Sequence, residues 1–186
     1  AGSAFNNIRS QIVRASYGPE GRIFYPQLAA TATGLESTLF SIRPDGLDRR
    51  AHFTFPYADE VVASPDGKWI SYVSNQSGRF EIYVRPASGS GGKWQSSTEG
   101  GQADQWNPNG KELFYQNGDK MYAVDIKTEP AFSAGTPRLL FEGTYEKQPG
   151  VGANYNVSPD GQRFLMIKPG GVRQEGATQI NVVLNW

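Results

Sequence analysis

An all-β fold, a β-propeller of about four four-stranded antiparallel blades, is predicted by three observations on this chain of 186 residues. A turn of proline, acid or amide, and glycine recurs at Gly18-Pro19-Glu20-Gly21, Ser64-Pro65-Asp66-Gly67, Asn107-Pro108-Asn109-Gly110 and Ser158-Pro159-Asp160-Gly161. The four prolines lie 46, 43 and 51 residues apart, and about 40 to 50 residues is the period of a four-stranded blade. Between the turns run short apolar or alternating stretches rich in aromatic and β-branched residues, which read as strands. A sandwich with repeated turns is the competing architecture. Agreement of turn type, period and strand count favours the propeller.

The turn comes first, because it sets the hairpin. In Ser64-Pro65-Asp66-Gly67 the proline fixes φ at the second position of a type I turn. Asp66 suits the third position and can bond the local backbone. Gly67 can take φ > 0 without steric cost, which permits a bulged hairpin. Glu20-Gly21, Asn109-Gly110 and Asp160-Gly161 are expected to share this geometry.

The strands follow in order. Residues 1–10 form an N-terminal segment in which Ser3 to Arg9 can add edgewise to the last blade and close the ring. Blade 1 (11–57) takes strands at Gln11 to Ser16, Arg22 to Pro26, Ser37 to Arg43 and Arg50 to Phe55, with an extra turn at Arg43-Pro44-Asp45-Gly46. Blade 2 (58–100) opens with Glu60-Val61-Val62-Ala63, apolar as a strand buried on both faces should be. It continues with Trp69 to Val73, Phe80 to Val84 and the polar Lys93 to Ser97. Blade 3 (101–150) uses Ala103 to Asn107, Glu112 to Gln116, Lys120 to Ile126 and Pro137 to Phe141. Blade 4 (151–186) has three strands, Asn154 to Ser158, Arg163 to Lys168 and Gln179 to Trp186. A small closed ring, part of a larger propeller, and two chains paired into one larger ring all fit this count.

Composition narrows the function classes. Eighteen basic residues balance 18 acidic ones, so no global field draws in nucleic acid or an anionic membrane. No apolar run of about 18 residues offers a membrane helix. The chain has no cysteine, which removes disulfides, thiolate catalysis and zinc sites built on Cys. That suits an oxidising compartment as readily as the cytosol.

The repeated S-P-D-G-K/Q, an aromatic or aliphatic strand, then an I/L-Y/F-V strand, resembles the TolB-like (WD40-like, PD40) β-propeller repeat over about residues 11–186. The part from Tyr17 to Val73 looks like the propeller ahead of bacterial amidohydrolase and tricorn-type peptidase domains. The part from Gly100 to Trp186, with Asn156-Val157-Ser158-Pro159-Asp160-Gly161 and the ending Gln179 to Trp186, is similar to the carboxy-terminal propeller of some bacterial receptor-like Ser/Thr kinases. Neither the kinase nor the hydrolase catalytic motifs are present in this sequence. The resemblance implies a binding or gating module, usually periplasmic or extracellular, with a cytoplasmic setting as the alternative.

The search for chemistry is short. His52 is the only histidine, so a Ser-His-Asp triad or a histidine metal site would rest on it. In Arg50-Ala51-His52-Phe53-Thr54-Phe55 it reads as strand surface. There is no nucleophile elbow, zincin helix, P-loop or complete calcium loop. Ser88-Gly89-Ser90-Gly91-Gly92 reads as a linker, and Asp45, Asp66 and Asp160 as turn acids. Trp69, Trp94 and Trp186 read as packing between blades. No metal or cofactor is expected.

The best candidate site is the mouth of the central channel, where chain segments lead into the innermost strands. Asp59, Glu60, Asp104, Gln105, Trp106, Asn154 and Tyr155 bring carboxylates, amides and rings together there, a mixture suited to peptides or sugars. The leading reading is a noncatalytic binding or scaffold module for a protein, peptide or small polar ligand. Acidic residues at the same mouth offer a glycoside or peptide hydrolase as the alternative. A fragment whose main property is self-assembly, such as a homodimer completing a larger ring, is the third reading.

Overall fold

The computed structural model describes residues 15–32, 34–56, 58–146, 153–169 and 181–184. The expected closing strand at residues 3–9, and most of the Gln11 to Ser16 strand, lie outside these residues, as does Trp186. The first sheet runs β1 (Ser16–Tyr17), β2 (Ile23–Thr31), β3 (Gly34–Ile42) and β4 (Arg50–Pro56). The second runs β5 (Ala58–Ala63), β6 (Trp69–Ser74), β7 (Glu81–Pro86) and β8 (Trp94–Gln95). The third orders β9 (Gln102–Trp106), β10 (Glu112–Asn117) and β11 (Lys120–Lys127), with β12 (Ser133–Ala134) and β13 (Arg138–Glu142) both pairing β11. The fourth is β14 (Tyr155–Val157), β15 (Arg163–Met166) and β16 (Asn181–Leu184). Every pairing is antiparallel. No helix among the described residues is long and apolar enough to cross a membrane.

The strands meander because the turns force them to. The Ser64 amide donates to the Trp69 carbonyl at 2.8 Å and the Gly67 amide to the Ser64 carbonyl at 2.8 Å. Gly67 has φ +64, which a Cβ would strain. Asp66 accepts from the Ser64 hydroxyl at 2.6 Å and from the Lys68 amide at 3.1 Å. The turns at Asn107 and Ser158 close the same way, on Glu112 and Arg163, each at 2.9 Å. In the last of these the Ser158 hydroxyl, then the Gln162 amide, hold the Asp160 carboxyl below the usual carboxylate range. These acids are therefore turn parts.

The first turn departs from that expectation. Gly18 donates to the Arg22 carbonyl at 2.9 Å, four residues on rather than five, and Glu20 itself takes φ 58. One residue fewer in the loop turns every following side chain to the opposite face. Phe24, Ile70, Leu113 and Phe164 each lie five residues after their proline. Ile70, Leu113 and Phe164 pack toward the preceding sheet, whereas Phe24 packs toward the following one.

Alternation along the strands then builds the seams between sheets. Val61, Ile70, Tyr72 and Tyr83 of the second sheet pack on Phe24, Leu39 and Phe55 of the first. Val62, Val73, Ile82 and Val84 face the third sheet, on Trp106, Leu113, Tyr115 and Val124. Ala103, Phe114, Met121 and Ala123 face Tyr155, Phe164 and Met166 of the fourth. Each of the larger aliphatic and Phe side chains, fully buried, contributes roughly 1.5–3 kcal/mol. Burial pushes the Tyr72 and Tyr115 phenols up to about 12, so both stay neutral in their seams. At the outer rim Phe132, just ahead of β12, reaches back onto Trp69 and Trp94, with ring centroids 4.7 Å from each. Among the described residues no apolar cluster joins the fourth sheet to the first.

The turns also nest against one another. A Cβ on Gly110 would lie 3.9 Å from Pro65 of the preceding turn, and one on Gly161 would collide with the Asn107 side-chain amide. Gly161→Ala is therefore expected to cost about 1–3 kcal/mol in urea denaturation. Gly110→Ala, with similar φ and more room, should cost less. Equal losses would show that Asn107 gives way freely.

Candidate functional site

The innermost strands β5, β9 and β14 begin at the end opposite the proline turns, and both β5 and β9 are bulged there. In β5, Asp59 and Glu60 oppose the single residue Val73. In β9, Ala103 and Asp104 oppose Tyr115, and Ala103 takes φ 56. A bulge re-aims side chains that plain alternation would have placed elsewhere. Asp104 is fully buried and Glu60 is 5% exposed, so both carboxylates turn into the fold rather than outward.

Asp104 accepts a hydrogen bond from the Ser71 hydroxyl of β6, across the seam. Trp106 Nε1 donates to the Val62 carbonyl at 3.2 Å, across the same seam. On the other side of β9, Gln105 Nε2 donates to the Tyr155 carbonyl at 2.5 Å. The Tyr155 hydroxyl returns a bond to the Ala103 carbonyl at 2.8 Å. Four of the seven sequence-derived candidates, Asp104, Gln105, Trp106 and Tyr155, are thus brought together on and beside β9. Asn154 donates to the Glu146 carbonyl. Gln105 and Asn154 are half-buried. The Asp59 side chain, Tyr57 and Gly152 lie outside the described residues.

Sequence reading missed a second polar cluster at the same end. Glu81, 1% exposed, opens β7. It accepts from Arg79 Nε at 2.6 Å, from the Gly100 amide at 3.0 Å and from the Ser97 hydroxyl. Ser97 in turn accepts from the Ile82 amide at 2.7 Å. The carboxylate ties the segment after β8 to the second sheet and so delivers the chain to β9. An acid directly ahead of the apolar run Ile82-Tyr83-Val84 was the available signal.

His52 sits in a different place, half-buried in the first sheet. Its Nε2 is 2.8 Å from the Ser41 hydroxyl, and its ring stacks on Phe24 at 5.2 Å. Arg22 Nε donates to the same hydroxyl at 2.9 Å, which directs the serine proton toward His52. The resemblance to a nucleophile and its base ends there. Ser41 is fully buried, and Asp48 faces Arg22 at 2.8 Å and Arg50 at 2.6 Å. Burial first, then Arg22 and Arg50, hold His52 below its ordinary pKa of 6.5. Among the described residues no three His, Asp or Glu side chains gather as a metal site.

No protein-family model and no curated protein matches this sequence. Solved structures do. TolB from Acinetobacter baumannii superposes with a TM-score of 0.61 at 17% identity, covering 84% of this chain and 37% of that one. An oligogalacturonate lyase in complex with manganese gives 0.60 at 9% identity, covering 84% and 46%. A gluconolactonase from Xanthomonas campestris gives 0.53 at 14% identity, covering 82% and 52%. The chain therefore spans between about a third and a half of these proteins' lengths. Their likeness is one of fold, a TolB-like β-propeller.

Two outcomes follow from the seams. Asp104→Ala should destabilise by about 1–3 kcal/mol, because Ser71 loses a buried acceptor. Asp104→Asn, which keeps an acceptor oxygen, should cost less; equal losses would remove the Ser71 bond from the account. For His52 the unfolded chain protonates first as pH falls, since its folded pKa is the lower one. The stability His52 supplies is thus complete above about pH 6.5 and is lost as pH falls from there through its lower folded pKa. The thermal midpoint of the natural chain should drop between about pH 7 and 5.5, and that drop should shrink in His52→Gln. An identical profile in the variant would assign the effect to other groups.

Proposed function

We propose that the chain is a noncatalytic recognition module, taking a peptide or small polar ligand at the mouth end of its innermost strands. One observation carries this reading. The titratable groups that chemistry would call on, Asp104, Glu81 and His52, each hold a hydrogen bond within the fold. Asp59, Gln105 and Asn154 then make the ligand contacts, while Asp104, Trp106 and Tyr155 fix the strands that present them. The half-buried amides of Gln105 and Asn154 match the donors and acceptors of a peptide backbone. An extracytoplasmic setting belongs to the same reading and rests on the resemblance of the repeat to periplasmic propeller modules.

Panning a displayed random-heptapeptide library on the immobilised chain is expected to return a consensus whose synthetic form binds the natural protein. Asp59→Ala should weaken that binding about tenfold or more, the scale of one charge-assisted hydrogen bond. The hydrolase alternative is read from a panel of chromogenic glycosides, esters and peptides, with and without chelator. Turnover abolished by Asp59→Ala would overturn the noncatalytic reading.

A further inference from the structure

The face of the first sheet that points away from the second sheet has a chemistry unlike the packed seams. Tyr25 and Phe40 pair across β2 and β3 and stack with centroids 5.9 Å apart. Next along the strands come Gln27, Thr38 and Thr54, with the two threonine hydroxyls 3.0 Å apart. Arg49, exposed, lies over the Phe40 ring with its Cζ 3.6 Å from the centroid. Its Nε donates to the Tyr25 hydroxyl at 2.9 Å and its Nη2 to the Gln27 side-chain oxygen. Beyond Gln27 the row runs into a hollow of about 560 Å³ lined by Leu35, Glu36, Thr54, Phe55 and Pro56.

These contacts leave the guanidinium oriented rather than neutralised. Nε and one Nη2 hydrogen serve the protein, both on the side edge of the fork. The end edge, between Nη1 and Nη2, still presents two parallel N–H donors, the geometry that takes a carboxylate bidentately. A further apolar sheet seated on this face would desolvate Arg49, Gln27 and both threonines without offering them partners, which is costly. The packed face of the second sheet shows the contrast: Val61, Ile70, Tyr72 and Tyr83 fill it.

We propose that this face binds an acidic segment of polypeptide in extended conformation. A Glu or Asp carboxylate seats on the free edge of Arg49, over the Tyr25–Phe40 platform. An apolar side chain four residues along the segment enters the hollow beside Thr54 and Pro56. The spacing is set by the strands themselves: Phe40 and Glu36 are four residues apart on β3, about 13 Å at the rise of a strand. Residues four apart in an extended peptide lie on one side at that same spacing, and its own amides meet the Gln27 and Thr38 side chains. This site is separate from the mouth of the innermost strands and does not rest on the reading given for it.

The test uses a fluorescein-labelled pentapeptide, glutamate-serine-threonine-serine-leucine, in fluorescence polarisation against the whole chain. A second peptide carries lysine for glutamate, and a third alanine for leucine. Saturable binding of the first peptide is expected, with at least about a tenfold loss for the lysine peptide and for Arg49→Ala. Arg49→Lys should also bind more weakly, because it keeps the charge and loses the fork. Arg49 is exposed, so the melting midpoint of its variants should match that of the natural chain, which separates binding from folding. Asp59→Ala should leave this peptide's affinity unchanged. No saturable binding, equal binding of the glutamate and lysine peptides, or undiminished binding by Arg49→Ala would each overturn the proposal. So would a solution mass of two chains that reverts to one in Phe40→Asp, which would assign the face to a second copy.

Discussion

The number of residues between the first and second strands of each sheet governs the rest of the molecule. A strand has two faces and a period of two, so a loop of fixed length decides which side chains enter which seam. At Ser64, Asn107 and Ser158 the closure is the same, and Ile70, Leu113 and Phe164 all turn to the preceding sheet. At Gly18 the loop is one residue shorter, and Phe24 and Arg22 turn the other way. This places a guanidinium, 5% exposed, against Ser41 and Asp48 in the first sheet. It also leaves Tyr25 and Phe40 on the face that no described sheet covers. A single residue thus separates a seam from a surface.

The polar groups of the inner strands make a second layer of specification over the apolar seams. Hydrophobic contact holds sheets together without fixing their relative height, whereas Ser71 to Asp104, Trp106 to Val62 and Tyr155 to Ala103 join particular atoms. Buried polar bonds of this kind add modestly to net stability but are expensive to leave half-made. The superposed proteins are as different as TolB, a lyase and a gluconolactonase. The shared architecture therefore says little about chemistry, which belongs to the groups each chain sets on it.

Much of the architecture was legible because its signals are local. Proline, acid and glycine fix a turn wherever they fall, and alternation marks strands such as Glu81–Pro86 without reference to anything distant. The swap of faces in the first sheet was not legible, since Pro19-Glu20-Gly21 and Pro65-Asp66-Gly67 look alike and differ in whether the acid itself takes φ > 0. For the candidate residues, the strands that carry them were legible and the directions of their side chains were not. Asp104 and Gln105 lie along β9, Trp106 ends it beside the Asn107 turn and Tyr155 opens β14, but a bulge at Ala103 leaves no mark on composition. Which of them points across a seam depends on it. The β2–β3 hairpin runs to Thr31, well past Pro26, because its pairing partners on β3 continue to Gly34.

The nesting of each sheet on the one before it bears on how the molecule comes apart. The second and third sheets each share two described seams, while the first and fourth share one. Where neighbouring sheets are coupled mainly through their seams, a sheet held by two of them opens at greater cost than a sheet held by one. Among the described residues the most persistent amides are therefore expected along β6, β7, β10 and β11. The second and third sheets can then stay closed while a sheet held by one described seam moves.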